Sequence, residues 1–249
     1  LETFLLFNTF NIKTIGTFFI IQSATFLGAS FVSFRIKEVS QLLLSNRKIS
    51  SKNREDSFSE LYAFYVIVLI FFIPFGFLIL IIFRHYFLED VWKYFPSIFL
   101  VMLTFIFNQL SGFWFAIQYQ KNFSEKISYY QTFKKVSSLL LISFLFILRP
   151  NQYMVFTISV FYFFNAFLFF IYEFKEVYNI LNIKTILCFN RPFYTLRKYI
   201  FSDNEISLAL RTGYLRTLFS TWAKNGDISI AAIIAGPTGS ALLKAIKSV

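Results

Sequence analysis

The sequence predicts an all-α protein, a polytopic bundle of about six transmembrane helices plus the start of a seventh. Three observations carry that reading. Hydrophobic residues make up 57% of the 249 and charged residues only 15%, against about 45–50% and about 25% in ordinary soluble domains. The mean hydropathy is +0.61, and a water-soluble chain of this length has no means of hiding so much apolar surface. The apolar residues fall in runs of about 20, the length of helix that crosses a hydrocarbon core about 30 Å thick, with the basic residues between them. The 38 Phe and 14 Tyr weigh less, because a surplus of Phe, Ile, Lys and Asn also follows from an AT-rich genome.

Taken in order, the clear runs are Ile15 to Phe34, Leu61 to Phe83, Pro96 to Ile117 and Tyr153 to Tyr172. Val136 to Leu148 is short alone. It reaches spanning length when extended back over Gln131, Thr132, Lys134 and Lys135, whose stems can lie along apolar surface while their ammonium groups stay at the headgroups. The sixth run, Tyr214 to Ala235, is the most polar, with Arg216, Lys224, Asn225 and Asp227, and Leu242 opens a seventh. Pro74 and Gly76 predict a kink in the second run. Ser57-Phe58-Ser59-Glu60 before Leu61 and Ser202-Asp203-Asn204-Glu205 before Ile206 fit the capping-box pattern. Asp203 and Glu205 also look like an acidic metal site of a sugar transferase, but the apolar helical run that follows favours the cap.

Charge sets the orientation. Segments 35–60, 118–135 and 173–216 hold seventeen Lys and Arg, whereas the opposite side has four, Lys13, Arg84, Lys93 and Arg149. The positive-inside rule therefore puts 173–216 in the cytoplasm and starts the first span outside. That segment is the longest connection, interrupted by Arg191-Pro192, and divides the chain into an N-terminal bundle of five spans (1–190) and a cytoplasmic linker with the first helix of a second bundle (191–249). The net charge of +11 would suggest nucleic acid on a globular domain, but here the cations sit between apolar runs, and no nucleic-acid partner is expected. The outer loops are short and hold no domain for chemistry.

One cysteine, Cys188, and one histidine, His85, allow neither an internal disulfide nor a zinc cluster, and neither residue is assigned a role. No signal peptide is evident. Leu1 in place of Met, and an apolar helical pattern restarting just before Val249, make the sequence read as an internal piece of a longer protein.

The stretch Leu215-Arg216-Thr217-Leu218-Phe219-Ser220-Thr221-Trp222-Ala223-Lys224-Asn225-Gly226-Asp227, then Gly236-Pro237, then Leu242-Leu243-Lys244-Ala245, resembles the seventh transmembrane helix of the polysaccharide transporter (O-antigen flippase-like) family. That family belongs to the multidrug/oligosaccharidyl-lipid/polysaccharide exporter superfamily. Arg35-Ile36-Lys37-Glu38-Val39-Ser40-Gln41-Leu42-Leu43 looks like the basic segment after its second helix, so the six spans would be helices two to seven of twelve or more. The resemblance implies a multi-pass protein of the bacterial cytoplasmic membrane, not an enzyme and without a cofactor. It would flip a polyprenyl-pyrophosphate-linked oligosaccharide to the outer leaflet for surface polysaccharide such as lipopolysaccharide O-antigen. Alternating access of two bundles about a midplane cavity is the implied mechanism. Implied partners are the lipid-linked oligosaccharide, membrane lipids, a polysaccharide polymerase and a chain-length protein.

Within that frame Asp227 is the sharpest candidate, since an acidic side chain mid-helix costs about 2.5–3.5 kcal/mol to insert and tends to face a cavity. Lys224, three residues earlier, is within reach of an ion pair, and Gly226 permits local unwinding. Asp227 and Asn225 are expected to line the substrate or ion pathway; the competing reading is a neutralised pair that holds helices together. Asn108 and Gln109, mid-span, either contact sugar hydroxyls or hydrogen-bond between helices. Arg211, Arg216, Arg197 and Lys198 stand at the cytoplasmic mouth, where a pyrophosphate headgroup would enter, although topology alone also calls for cations there. Two rival functions remain: a multidrug or other small-molecule exporter of the same superfamily, and a membrane-embedded glycan polymerase or transferase. The large outer loop of the polymerases and the acidic site of the transferases are both missing here.

Overall fold

The computed structural model describes residues 11–30, 36–45, 50–82, 92–148, 154–182, 185–186 and 205–247. Among them are seven helices and no strand: α1 (Ile12–Ser30), α2 (Ile36–Ser45), α3 (Ser51–Ile82), α4 (Phe95–Gln120), α5 (Ser124–Leu148), α6 (Met154–Tyr178) and α7 (Glu205–Lys247). An all-α bundle is therefore what the sequence makes. Five helices, α1, α3, α4, α6 and α7, are long and apolar enough to cross a membrane. α5 matches them in length, but Lys126, Lys134 and Lys135 leave it less apolar. Side chains such as Phe71, Leu140, Phe164 and Ile234 stand exposed on the outside of the bundle, as a lipid-facing surface requires and a water-facing one does not tolerate.

Helix directions follow from side-chain contacts. α3 runs antiparallel to α4: Phe58 and Tyr62 pack on Phe113 (5.3 and 4.9 Å between rings), and Phe72 packs on Phe105 at 5.3 Å. α5 runs antiparallel to α6, from Tyr130 beside Phe169 (5.3 Å) to Phe144 beside Phe161 (6.2 Å). α4 and α6 are parallel and share an extensive face, on which Phe107 stacks on Phe170 at 4.9 Å.

α1 is the hub, buried on nearly all sides by α3, α4, α6 and α7. Lipid tails are as apolar as the side chains, so close van der Waals packing rather than hydrophobic burial holds such a helix, and small residues permit it. α1 carries Gly16, Ser23, Ala24, Gly28, Ala29 and Ser30. A Cβ added at Gly16 would lie 1.7 Å from the Pro237 carbonyl oxygen, so only glycine allows this approach of α1 to α7.

Several boundaries shift from the sequence reading. α3 begins at Ser51, ten residues before Leu61, so Ser57 and Glu60 lie inside a helix and form no cap. Ser50 Oγ instead accepts the Asn53 N–H at 3.4 Å. Pro74 sits within α3 without ending it. α6 continues through Tyr178, which removes Glu173, Lys175 and Glu176 from the connecting segment. The linker around Arg191-Pro192, the Ser202 cap, His85 and Cys188 lie outside the described residues. α2 is amphipathic, its Val39, Leu43 and Leu44 buried and Lys37 lying over the Tyr119 ring at 4.6 Å. Its terminal Leu44 carbonyl accepts hydrogen bonds from Arg54 (3.3 Å) and Gln120 (3.4 Å), which satisfies an otherwise orphaned helix end.

α7 is a hairpin rather than a rod. Gly236 has φ 62° and ψ −157°, a region open essentially to glycine alone, and Pro237 cannot continue the preceding hydrogen bonds. The chain turns back: Ser240 Oγ donates to the Ile228 carbonyl at 3.3 Å, a contact that twelve residues of straight helix, about 18 Å, would forbid. The return arm thus starts at Pro237, five residues before the expected Leu242. The first arm runs antiparallel to α1, with Gly16 at Pro237 and Trp222 Nε1 donating to Ser30 Oγ at 3.2 Å.

Candidate functional site

Two groups of polar side chains lie within the apolar helices. The first belongs to the α7 hairpin. Asp227 forms an ion pair with Lys247 across the turn, and its Oδ1 also accepts the Ile228 N–H at 2.8 Å. The pair is partly open, with 40% of the Asp227 side chain exposed and 35% of that of Lys247. Lys244, on the same return arm, lies over the Phe19 ring of α1 at 5.6 Å. The expected local partner was Lys224, whose side chain lies outside the described residues; the fold supplies Lys247 because the hairpin brings the end of one arm beside the middle of the other. Asn225 donates to the Thr221 carbonyl of its own helix at 3.1 Å.

The second group joins α4, α5 and α6. Glu173 of α6 is 1% exposed. Ser111 of α4 and Tyr130 of α5 each donate a hydroxyl to one of its carboxylate oxygens, and the positive charge of Lys134 of α5 acts on it. Less than a turn further along α6, Glu176 repeats the arrangement, accepting from Gln118 of α4 and from Lys126 of α5, the latter at 2.5 Å. Two turns back, Asn165 Oδ1 accepts from Ser137 at 2.8 Å. Buried charges persist only when paired and hydrogen-bonded. Here successive residues on one face of α6 clamp α4 and α5 together. Lys126 lies at the start of α5, before its apolar stretch, and its hydrogen bond to Glu176 holds the ammonium above the ordinary lysine range.

Grooves flank α5 on both sides. One, of 540 Å³, is lined mainly by aromatic residues, among them Tyr129, Tyr130, Phe133, Phe169 and Tyr172, with Lys126 among them. The other, of 450 Å³, is more polar, with Thr104, Asn108, Gln131, Lys134, Lys135 and Asn165. Asn108 therefore faces a groove, its Oδ1 accepting from Lys134 at 3.0 Å, whereas Gln109 turns the other way and accepts from Tyr65 of α3 at 3.1 Å. Interhelical hydrogen bonding describes both, and Asn108 also lines open space.

The candidate residues are not gathered in one place. Asp227, Asn225 and Lys247 belong to α7, which packs on α1 and α2, while Asn108 and Gln109 belong to α4 on the α3, α5 and α6 side. Arg211 and Arg216 stand exposed near the start of α7, and Arg197 and Lys198 lie outside the described residues. Among the described residues no group of three His, Cys, Asp or Glu is placed to hold a metal. Glu173, Tyr130 and Ser111 escaped the sequence reading, yet Asn165, Phe169 and Glu173 recur every fourth residue, the spacing of one helix face. No known protein family, curated protein or solved structure matches the chain.

Proposed function

We propose that this protein forms part of a bacterial cytoplasmic-membrane transporter that flips a polyprenyl-pyrophosphate-linked oligosaccharide outward for surface polysaccharide synthesis. In this reading α5 is the additional crossing, with Lys126 at the cytoplasmic headgroups and Lys134 held inside the bundle on Asn108, and the basic loops face the cytoplasm. The observation that carries the proposal is the α7 hairpin. The Asn225-Gly226-Asp227 element and the Gly236-Pro237 turn, on which the resemblance to polysaccharide transporters rests, hold a half-open ion pair inside an apolar helix. An acidic group in that setting is costly unless it works on a pathway or neutralises a partner. Asp227 serves the pathway, exchanging its contact with Lys247 as the two bundles rock between inward-open and outward-open states.

The test is complementation in cells whose polysaccharide export depends on the gene. Asp227→Asn keeps size and hydrogen bonding but removes charge, and should lower surface polymer at least about tenfold at unchanged protein abundance. Combining it with Lys247→Met removes both charges. Export restored by the double substitution would reduce Asp227 to a neutralising partner and reject its pathway role, whereas continued failure at normal abundance supports that role.

A further inference from the structure

α5 is polar along one face for more than half its length. Ser124, Ser128, Gln131, Lys135 and Ser138 follow one another at alternating spacings of four and three residues, which sets them in one row along the helix. The first four are exposed. The row ends there, because the next position on this face, Ile142, is buried and apolar. Its deeper part lines the 450 Å³ groove, which Gln131, Lys135 and Ser138 share with Asn108 of α4 and Asn165 of α6. At 1.5 Å per residue the row is about 21 Å long. α4 fixes its depth, since Lys134 meets Asn108 midway along that 26-residue helix. The opposite side of α5 is apolar and exposed at Phe133 and Leu140, as contact with lipid requires.

A separate observation says what fills the groove. No acidic residue lines it. Lys134 has Asn108 and the charge of Glu173, whereas Lys135 forms no hydrogen bond or ion pair with any described residue. An ammonium group within a span needs either a protein partner or water around it. Lacking the first, Lys135 requires the second. The groove has room for about fifteen waters at about 30 Å³ each, and amides and hydroxyls from three helices offer them partners. We infer that the polar row of α5 and this groove form a water-filled vestibule, which enters where α5 begins, stops near mid-bilayer and admits small anions in preference to cations. The preference follows from the one lysine whose charge no lining carboxylate offsets. The vestibule does not depend on the cargo proposed above; only its placement on the cytoplasmic side rests on that reading.

Single cysteines test it in membrane vesicles containing the full chain with Cys188→Ser. Methanethiosulfonates react with the thiolate, which water permits and hydrocarbon suppresses, and charged members of the class do not cross lipid. Ser128→Cys, Gln131→Cys and Ser138→Cys should react with the anionic sulfonatoethyl reagent within about tenfold of the rate at Ser124→Cys, and Phe133→Cys and Leu140→Cys at least about a hundredfold more slowly. At Ser138→Cys the anionic reagent should gain about tenfold over the cationic trimethylammonioethyl reagent relative to Ser124→Cys, a gain that Lys135→Gln removes. In the unsubstituted chain, an impermeant sulfonated succinimidyl ester should acylate Lys135, read by peptide mass spectrometry, so the result does not hang on any substitution. Reaction from the cytoplasmic face alone supports the vestibule and its placement; reaction from the outer face alone supports the vestibule and overturns the proposed orientation. The vestibule is overturned if Gln131→Cys and Ser138→Cys are as slow as Leu140→Cys from both faces and Lys135 of the unsubstituted chain stays unmodified. Equal gains for the two reagents at Ser138→Cys overturn the anion preference.

Discussion

Glu173 and Asp227 are both carboxylates in apolar helices, but the molecule treats them differently. Glu173 is sealed, its two oxygens taken by hydroxyls from two other helices. Asp227 is half open, and its charged partner is supplied by the return arm of its own hairpin. A sealed carboxylate whose acceptors are filled from α4 and α5 is cement between helices. One that can exchange a single partly hydrated cation keeps the freedom a moving part needs. Under the proposed function the working acid is Asp227, the less buried of the two, and burial alone would have pointed to Glu173.

The largest effect should come from breaking the cement. Glu173→Ala removes the carboxylate whose charge faces Lys134, takes the acceptor from the Tyr130 hydroxyl and leaves Ser111 only the Phe107 carbonyl of its own helix, and should destabilise the protein by about 3 kcal/mol. Asp227→Asn should cost less than about 1 kcal/mol, because a pair this exposed is worth little. Unfolding in mild detergent measures both, and equal losses would erase the contrast.

Next in size is the hairpin itself. Gly236→Ala forces a side chain onto φ 62° at a cost of about 1–3 kcal/mol. Spin labels at Ile230 and Leu242, both exposed, should then report a broadened distance between the arms. Gly16→Ala should be comparable, about 1–3 kcal/mol, since overpacking drives backbones apart. Gly28→Ala on the same helix should stay within about 0.5 kcal/mol, because its Cβ would meet only the Phe72 ring at 3.8 Å.

The smallest effect lies at the edge of the cement, where Lys126 meets Glu176. A lysine whose value is raised by folding contributes stability in full below its unfolded value, ordinarily 10.5, and loses it as pH rises through the folded value. The Tm difference between the native chain and Lys126→Met should accordingly be constant from pH 7 to about 9.5 and shrink above it.

Much of this was legible from residue order. Runs of about 20 apolar residues can only be helices in a bilayer, and the helices formed where hydropathy put them. Their polar ends were not legible. The ten residues of α3 before Leu61 are helical through packing and hydrogen bonds, such as Asp56 Oδ1 accepting from Asn182 at 2.7 Å, which a hydropathy window cannot register. Glu173 was assigned to a connecting segment because a carboxylate reads as solvent-seeking until its partners are known, and Ser111 lies 62 residues away. The turn at Gly236-Pro237 was visible. That it would close tightly enough to put Lys247 on Asp227 depended on small residues such as Ala231, Ala235 and Gly239 meeting at the turn, a three-dimensional match with no local signature.

That pairing also bears on how the protein is made. Lys247 follows Asp227 by twenty residues, so at about 5–20 residues per second the ribosome exposes the acid roughly one to four seconds before its counterion. During that interval the first arm of α7 carries an unmatched carboxylate whose transfer into lipid is disfavoured. The two arms thus leave the insertion channel most readily as a closed, neutral hairpin, and a chain interrupted between Asp227 and Lys247 would stall at the membrane surface with its last span outside the bilayer.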